Sequence, residues 1–333
     1  MRKTGVLSIL FVVVLLAAAV LLAFCFSVQA QQPKNIPRIG GLSGTSFSAV
    51  SAWVEAFRHS LRELGHVEGK NIVIEWRYAE GKLDRVSALA AELVRLKVDV
   101  IVTSPSATRS AKEATSTIPI VMTNDGDPVA NGFVASLARP GGNITGLATL
   151  APEISGKRLE LLKEIVPRLT RVAFLGTSTQ PGNAQALRET EVAAGALKVK
   201  LQYLDVLDRN DIEIAFRDAS KGHTDAVLTM ASPILFSQRT HIAELAVKNR
   251  LPVIYSTPEY VEAGGLVSYG VSVTELYRRA ATYVDKILKG AKPADLPVEQ
   301  PKKFEFIINL KAAKQIGLTI PPNVLARADK VIK

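Results

Sequence analysis

Two polar stretches contain residue types that bind small charged groups. The first is SPSAT at positions 104–108, and the second is NDGDP at positions 124–128. Hydroxyl groups and free backbone amides at the start of a helix bind carboxylates, and a carboxylate side chain binds an ammonium group. The candidate ligand-binding residues of these stretches are Ser104, Ser106, Ala107, Thr108, Asp125 and Asp127.

Each stretch also has a purely structural interpretation. Ser104 followed by Pro105 is the pattern of a helix N-cap with proline at the first helical position, which stabilises a helix by about 1 kcal/mol without any ligand. The Asp-Gly-Asp sequence at positions 125–127 is equally typical of an ordinary turn. The residue types alone leave both interpretations open.

The flanking pattern predicts a βαβ unit that positions both stretches. Apolar runs at 100–102 and 118–122 predict two strands, and the residues between them predict a helix. A connection of this length joins parallel strands by a right-handed crossover, and ligands bind beyond the carboxyl ends of such strands. We therefore expect both stretches on one rim, together with Ser43 and Thr45 from the turn after a strand predicted at 38–42.

The second half of the chain repeats this order. Asp225, an apolar strand, the Ser232-Pro233 turn, a helix and a further strand follow one another as they do from Asp99 to Pro119. The repeat predicts two lobes of similar architecture that face each other across a cleft. The candidates of the second lobe, all in loops or at predicted strand ends, are Gln180, Ser232, Tyr255, Thr257, Glu259 and Tyr269.

Three of these second-lobe candidates suggest particular roles. Glu259 is an alternative to the aspartates as the partner of a ligand ammonium group. Tyr255 and Tyr269 could stack on an apolar ligand, but each is also a normal strand residue, and core roles are favoured for them individually.

The alternation of strands and helices predicts an α/β fold with two Rossmann-like, doubly wound lobes and parallel sheets. The first lobe is expected to hold five strands and the helices between them, including a short helix at 131–138. The elements after position 266 are too few for a third domain. The chain is therefore expected to cross between the lobes more than once, which would form a multi-strand hinge.

The N-terminal 30 residues have the pattern of a signal peptide. Arg2 and Lys3 precede an apolar run, and small residues before position 31 suggest cleavage after Ala30. An uncleaved membrane anchor is the main alternative. A lipid anchor on Cys25 is a weaker one, because Phe24 stands where a lipoprotein signal has a small residue. In each case the folded part is expected outside the cytoplasm, in the periplasm.

The composition argues against several classes of protein and site. Cys25 is the only cysteine, so the processed chain has no disulfide, thiolate metal site or cysteine nucleophile. Without Arg2 and Lys3 the chain has 39 basic and 31 acidic residues, a formal charge of +8 spread without a dense basic run. This distribution indicates solvated surface and no nucleic-acid partner.

The sequence offers little support for catalysis, a metal or a cofactor. It contains no HExxH, G-x-S-x-G, Walker or dinucleotide-binding motif, and its histidines have no companion ligands at metal-binding spacing. NDGDP has too few ligands, at the wrong spacing, for a calcium loop. We therefore expect no cofactor, no metal and no enzymatic activity.

The chain from position 38 to its end resembles the ABC-transporter substrate-binding proteins of the tryptophan/phenylalanine-binding type. The sequence segments that carry the resemblance include AFRHSLRELGHVEGKNIVIEWRYAEGKLDR, GDPVANGFVASLARPGGNITGL, SGKRLELLKEIVP and KGAKPADLPVEQPKKFEFIINLKAAKQIGLTIPP. It implies a type I periplasmic-binding-protein fold with three crossovers between lobes. It also implies that residues 38–149 and 266–297 form lobe one and that residues 150–265 and 298–333 form lobe two.

The resemblance implies a receptor for an ABC importer, with a small amino-acid-like or aromatic ligand and the permease transmembrane subunits as partners, and we expect a monomer. TSPSAT departs from the Gly-Thr-Pro-Ala-type turn of the family, which makes this turn a candidate for ligand specificity. An exported α/β enzyme is the alternative, and it would need a nucleophile paired with a base. A third possibility is the effector domain of a transcription regulator. Such a protein would need an N-terminal DNA-binding domain, but the predicted export signal occupies that position.

Overall fold

The computed structural model describes residues 36–180 and 182–333 of the 333-residue chain. The predicted export signal, the cleavage site after Ala30 and Cys25 lie outside the described residues. Among the residues that are described, no helix is both long and apolar enough to cross a membrane.

Five parallel strands form the smaller of two sheets, in the order β2-β1-β3-β4-β5. The central strands are buried along their length, as expected for a parallel sheet covered on both faces. The strands are β1 (Arg38–Ser43), β2 (Val73–Tyr78), β3 (Val100–Thr103), β4 (Ile120–Asp125) and β5 (Ile144–Ala148).

Seven strands form the larger sheet, in the order β12-β11-β10-β9-β8-β6-β7. All neighbouring strands are parallel except β10 and β11, which are antiparallel. The strands are β6 (Arg171–Gly176), β7 (Lys200–Asp205), β8 (Ala226–Thr229), β9 (Val253–Tyr255), β10 (Val267–Gly270), β11 (Glu305–Asn309) and β12 (Lys330–Ile332).

Helices cover both sheets. Short 3-10 helices lie at Leu83–Arg85 and Pro293–Asp295. The α-helices are α1 (Phe47–Glu63), α2 (Val86–Arg95), α3 (Thr108–Ala114), α4 (Ala151–Ile165), α5 (Asn183–Leu197), α6 (Asp211–Lys221), α7 (Pro233–Ser237), α8 (Arg239–Lys248), α9 (Pro258–Glu262), α10 (Val273–Leu288), α11 (Leu310–Ile316) and α12 (Pro322–Leu325).

The predicted internal repeat has a matching hydrogen-bond pattern in both lobes. Asp99 lies just before β3, and its carboxylate accepts the Arg38 amide at 2.7 Å. Asp225 lies just before β8, and its carboxylate accepts the Thr170 and Arg171 amides at 2.7 and 2.9 Å. Each aspartate thus fixes the start of the neighbouring strand of its own sheet.

The chain passes between the lobes three times, after β5, after β10 and before β11. The third passage follows Glu299, which pairs with Leu147 in the smaller sheet. The expected division differs from the structure at one strand, because β10 lies in the larger sheet between β9 and β11. The rest of that segment joins the smaller sheet, since α10 packs on α1 and β4 and the 3-10 helix at Pro293–Asp295 packs on β5.

Two local predictions of helix structure are wrong. Residues 131–138 form turns instead of a short helix, because the Phe133 and Val134 amides both donate to the Pro128 carbonyl. The helix after β3 begins at Thr108 and is capped by Ala107, so Ser104 is not its N-cap. The Ala107 amide instead donates to the Ser104 carbonyl and closes a turn ahead of the helix. The corresponding Ser232 does cap its helix, α7, by accepting the Leu235 amide.

We predict that Asp225→Ala lowers the free energy of unfolding by about 1–2 kcal/mol, because three donors lose their charged acceptor. Asp99→Ala is the matched control, since the exposed Asp99 accepts one bond and should contribute less than about 0.5 kcal/mol. Urea unfolding of both variants measures the difference. Equal losses would show that the additional bonds of Asp225 contribute nothing.

Candidate ligand-binding cleft

Loops at the carboxyl ends of strands from both sheets line one cleft. The smaller sheet supplies the loops after β1, β3 and β4, and the larger sheet supplies those after β6, β8 and β9. Because all six strands run parallel to their neighbours within each sheet, these loops lie on one rim of each lobe. The cleft has two adjoining compartments, which share Pro105, Asn124, Gln180, Ala231, Ser256, Thr257 and Val273.

The first compartment, called here the aromatic compartment, encloses about 580 Å³, including space open to solvent. Trp53 of α1 and Tyr277 of α10 reach it from lobe one, and Phe236 and Tyr260 reach it from lobe two. The Trp53 and Phe236 ring centroids are 4.6 Å apart, and those of Phe236 and Tyr260 are 6.0 Å apart. Aromatic side chains from both lobes therefore form one continuous apolar wall.

Hydroxyl and amide groups face the same space. Ser43 and Thr45 are joined by a hydrogen bond of 2.9 Å, and Ser104 and Ser106 by one of 3.2 Å. Gln180, on the lobe-two side, is almost fully buried, and its Oε1 atom makes no hydrogen bond with the described residues. A buried amide without a partner is costly, so Gln180 is available for a polar ligand group.

The second compartment, called here the arginine compartment, encloses about 740 Å³, again including space open to solvent. Arg158 of α4 lines it and is only 5% exposed. Its Nε atom donates to the Tyr269 carbonyl at 2.6 Å, and its Nη2 atom donates to the Ser256 carbonyl at 3.3 Å. Desolvation lowers the pKa of Arg158 to about 10, so the side chain is still charged at neutral pH.

Two hydrogen bonds join the lobes across the cleft. The Trp53 Nε1 atom donates to Glu259 Oε1 at 2.7 Å, and the Gln185 Nε2 atom donates to Asp127 Oδ2 at 3.0 Å. One bond flanks the aromatic compartment, and the other joins the loop after β4 to α5. The described arrangement is therefore one in which the lobes are in contact.

Seven of the predicted site residues line the cleft. They come from five loops, those after β1, β3, β6, β8 and β9, whose polar side chains the sequence pattern places at strand ends. They are Ser43, Thr45, Ser104, Ser106, Gln180, Ser232 and Thr257.

The other seven predicted residues lie beside the cleft with partners of their own. In lobe one, Ala107 is packed in the core, and the Thr108 hydroxyl bonds to the Thr103 hydroxyl and the Ser104 carbonyl. Asp125 accepts the Asp127 amide, and Asp127 in turn accepts the Val129 and Ala130 amides in a turn. The structural interpretation of this loop thus accounts for most of its hydrogen bonds.

In lobe two, Tyr255 is fully buried and stacks on Tyr260, with ring centroids 4.7 Å apart. Glu259 accepts the Trp53 indole N–H, as described above. The Tyr269 ring packs against Phe304. Tyr255 therefore has a core role, whereas the half-buried Tyr269 packs at the edge of the core, outside the lining of the cleft.

The sequence reasoning missed the aromatic wall and Arg158. Trp53 lies on the apolar stripe of α1, a spacing that is typical of a core residue. Arg158 is one of several basic residues spread over helix faces, a pattern that indicates solvated surface. The one available signal was that each stands on a helix that starts just after a rim loop, near the amino end of α1 and in the middle of α4.

Burial raises the pKa of Asp125 to about 6, although hydrogen bonds from Asn131 and the Asp127 amide act in the opposite direction. Within the described ranges, no three His, Cys, Asp or Glu side chains lie close enough together to hold a metal ion.

The fold and cleft together define a type I periplasmic-binding-protein architecture, two α/β lobes with parallel-dominated sheets and a binding cleft between them. The family model for ABC transporter substrate binding proteins matches residues 43–332, and the chain belongs to that family.

Proteins similar to this chain include a tyrosine-binding protein of Clostridioides difficile, 26% identical over 279 residues that cover 79% of this chain and 76% of the relative. A conserved domain protein from Vibrio cholerae has a crystal structure with a TM-score of 0.84 and 28% identity, covering 89% of this chain and all of that one. An ABC domain from Streptococcus pneumoniae in complex with L-Trp has a TM-score of 0.81 and 26% identity, covering 89% and 99%.

The raised pKa of Asp125 predicts a pH-dependent stability difference from Asp125→Asn. A carboxyl group whose pKa is raised by folding favours the folded state when it is protonated, and this advantage is lost as pH rises through the folded pKa. The wild type should therefore gain on the order of 2–3 kcal/mol relative to the variant when the pH falls from 7 to 4. Urea unfolding at several pH values measures this, and a constant or falling difference would contradict it.

Proposed function

We propose that this chain is the extracytoplasmic receptor of an ABC importer and that it binds a small aromatic, amino-acid-like solute between its lobes. Family membership and the tyrosine- and tryptophan-binding relatives support this proposal. The permease transmembrane subunits are the partners that would recognise the closed receptor. The receptor would act as a monomer, since one chain supplies both walls of the cleft.

The aromatic wall is the observation that carries the proposed ligand class. Trp53, Tyr277, Phe236 and Tyr260 line one compartment from both lobes, next to a row of hydroxyl groups. Aromatic side chains bury large areas and favour tilted or edge-on packing against another ring, which contributes about 0.5–1.5 kcal/mol per pair beyond burial. A planar apolar ligand that also carries polar groups matches this lining.

We expect the lobes to close on the ligand, because both lobes supply residues that line the cleft. Three chain passages join the lobes, and the contacts between them include the Trp53–Glu259 and Asp127–Gln185 hydrogen bonds. A ligand that touches both walls binds the closed arrangement more tightly than an open one, so it shifts the population towards closure. The permease could then distinguish a loaded receptor from a free one.

The histidines support a binding role over the alternative of an exported enzyme. None of the four lines either compartment. His59 lies near Glu63, His66 near Asp285 and His241 near Glu213, all away from the cleft. A serine hydrolase would need one of them as the base beside a cleft serine.

A thermal-shift screen tests the proposed function. The mature protein is heated with aromatic amino acids, aromatic acids, aromatic amines, nucleosides and sugars. A ligand at about a hundred times its dissociation constant stabilises the folded state by about 2.7 kcal/mol, which raises the melting temperature measurably. We expect shifts from aromatic compounds, whereas a shift from sugars alone, or consumption of a compound without any shift, would contradict the proposal.

Trp53→Phe tests whether the lobes close on the ligand. The substitution keeps an aromatic ring but removes the indole N–H that reaches Glu259 across the cleft. We expect affinity for the best ligand to fall about tenfold, with little change in the melting temperature of the free protein.

Trp76→Phe is the matched control, because Trp76 is the only other tryptophan and lies in β2 outside the cleft. Its affinity should equal that of the wild type. Any ligand-induced change in tryptophan fluorescence should persist in Trp76→Phe and disappear in Trp53→Phe. The reverse pattern would place the ligand elsewhere.

A further inference from the structure

Among the residues that the structure describes, Arg158 is the only charged one that lines either compartment of the cleft. It is 5% exposed, and its two hydrogen-bond partners are neutral backbone carbonyls. Among the described residues no carboxylate forms an ion pair with it. A buried guanidinium without a negative partner keeps a large part of its desolvation cost.

The surroundings of Arg158 are shaped to hold the guanidinium at this place. A Cβ atom on Gly270 would lie 2.2 Å from the Ser256 carbonyl oxygen and 3.3 Å from Arg158 Nη2. A residue other than glycine at position 270 would therefore clash with the Ser256 carbonyl that accepts the Arg158 hydrogen bond. The result is a planar donor group fixed at the wall of the arginine compartment.

Holding the Tyr269 carbonyl of β10 and the Ser256 carbonyl after β9 would not require a charge. A neutral amide side chain can also donate to backbone carbonyls, and it would avoid burying a cation. A guanidinium, in contrast, has further N–H groups: with Nε and one Nη2 hydrogen donated to the carbonyls, Nη1 and the second Nη2 hydrogen are left, and this end can meet a carboxylate with two parallel hydrogen bonds. Its placement in a compartment that opens into the aromatic one suggests a ligand with a ring at one end and an anion at the other.

The acidic side chains near the cleft are arranged differently. Asp125 and Asp127 accept backbone and side-chain donors outside the lining. Glu259 accepts the Trp53 indole N–H through Oε1, and its Oε2 atom is buried outside the lining of both compartments, without a hydrogen-bond partner among the described residues. In the described part of the chain, no acidic residue lines either compartment. A ligand ammonium group would meet only neutral acceptors there, among them the buried side-chain oxygens of Gln180 and Thr257.

We infer that Arg158 binds the carboxylate of an aromatic ligand and that the α-ammonium group of an amino acid contributes little to recognition. This inference rests on the proposed function and narrows the ligand class to aromatic carboxylic acids, with or without an amino group. The ring occupies the aromatic compartment, and the carboxylate faces Arg158 past Thr257 and Ser256, which line both compartments.

Calorimetric titration of the full mature protein with matched analogues tests the inference. The tryptophan series is L-tryptophan, indole-3-propionate without the ammonium group, L-tryptophanamide without the negative charge, and tryptamine without the carboxylate. The phenylalanine series is built in the same way. We expect the two acids to bind within about tenfold of each other, and the amide and the amine to bind about a hundredfold more weakly.

Arg158→Gln and Arg158→Lys separate ligand binding from a structural role. Glutamine can keep a hydrogen bond to one of the two backbone carbonyls but has no charge, and lysine keeps the charge without the planar guanidinium. We expect the preference for acid over amide to disappear in Arg158→Gln and to be reduced in Arg158→Lys. Lys157→Gln is the control on the same helix, since Lys157 is exposed and pairs with Glu160 on the surface.

The outcomes distinguish this inference from the proposed function. If amines bind as well as acids, or if Arg158→Gln weakens acid and amide binding equally, Arg158 only holds the Tyr269 and Ser256 carbonyls. In that case the inference fails, but the proposal of a receptor for aromatic solutes stands. If no member of either series binds, the aromatic ligand class fails and the inference fails with it. Because the wild-type series needs no variant, an unfolded Arg158 variant would not prevent this decision.

Discussion

Parallel strands end at one edge of their sheet, and in this protein two such edges face each other. The loops after β1, β3 and β4 meet those after β6, β8 and β9, because the three chain passages hold the lobes with these edges opposed. Apart from the longer loop after β4, which runs to β5, each loop is short and begins at a buried strand, so its side chains have few alternative positions. The position of the cleft, its polar rows and its division between two lobes all follow from this constraint.

The cleft combines two kinds of surface that come from different parts of the fold. Loops supply hydroxyl and amide groups, whereas the amino-terminal halves of α1 and α10 and the short helices α7 and α9 supply the aromatic side chains. Arg158 is the exception, because it lies in the middle of α4 and its guanidinium lines the cleft beside Gly270. The cleft thus has an apolar wall on one side, a neutral polar rim, and one fixed cation on the other side. This lining favours an aromatic anion over a cation.

The polar rim could be predicted from the sequence because strand ends are visible as breaks in apolar runs. Ser43, Thr45, Ser104, Ser106, Gln180, Ser232 and Thr257 were identified in this way. The aromatic wall could not be predicted, because the periodicity that places Trp53 on the buried stripe of α1 is the same for a core residue and for a cleft residue. Core residues of both lobes and the cleft residue Trp53 belong to one apolar cluster that continues from one lobe to the other.

The wrong predictions have local physical causes. Ser104 and Ser232 have the same sequence signature, Ser followed by Pro, yet only Ser232 caps a helix. Around Ser104 the hydroxyl accepts the Gly44 amide and bonds to Ser106, and the Ala107 amide closes a turn first. Strand β10 joins the larger sheet although α10 leaves for the smaller one, and no composition change marks that passage. Such competition between local and tertiary partners is not encoded in residue spacing.

A crystal structure of the mature protein with the tightest-binding aromatic acid tests the central claim most directly. The account predicts that the ring lies between Trp53 and the aromatic side chains of lobe two, with the ligand carboxylate within hydrogen-bond distance of Arg158. A ligand bound outside the cleft, or one whose carboxylate points away from Arg158 towards the Ser104–Ser106 turn, would contradict it.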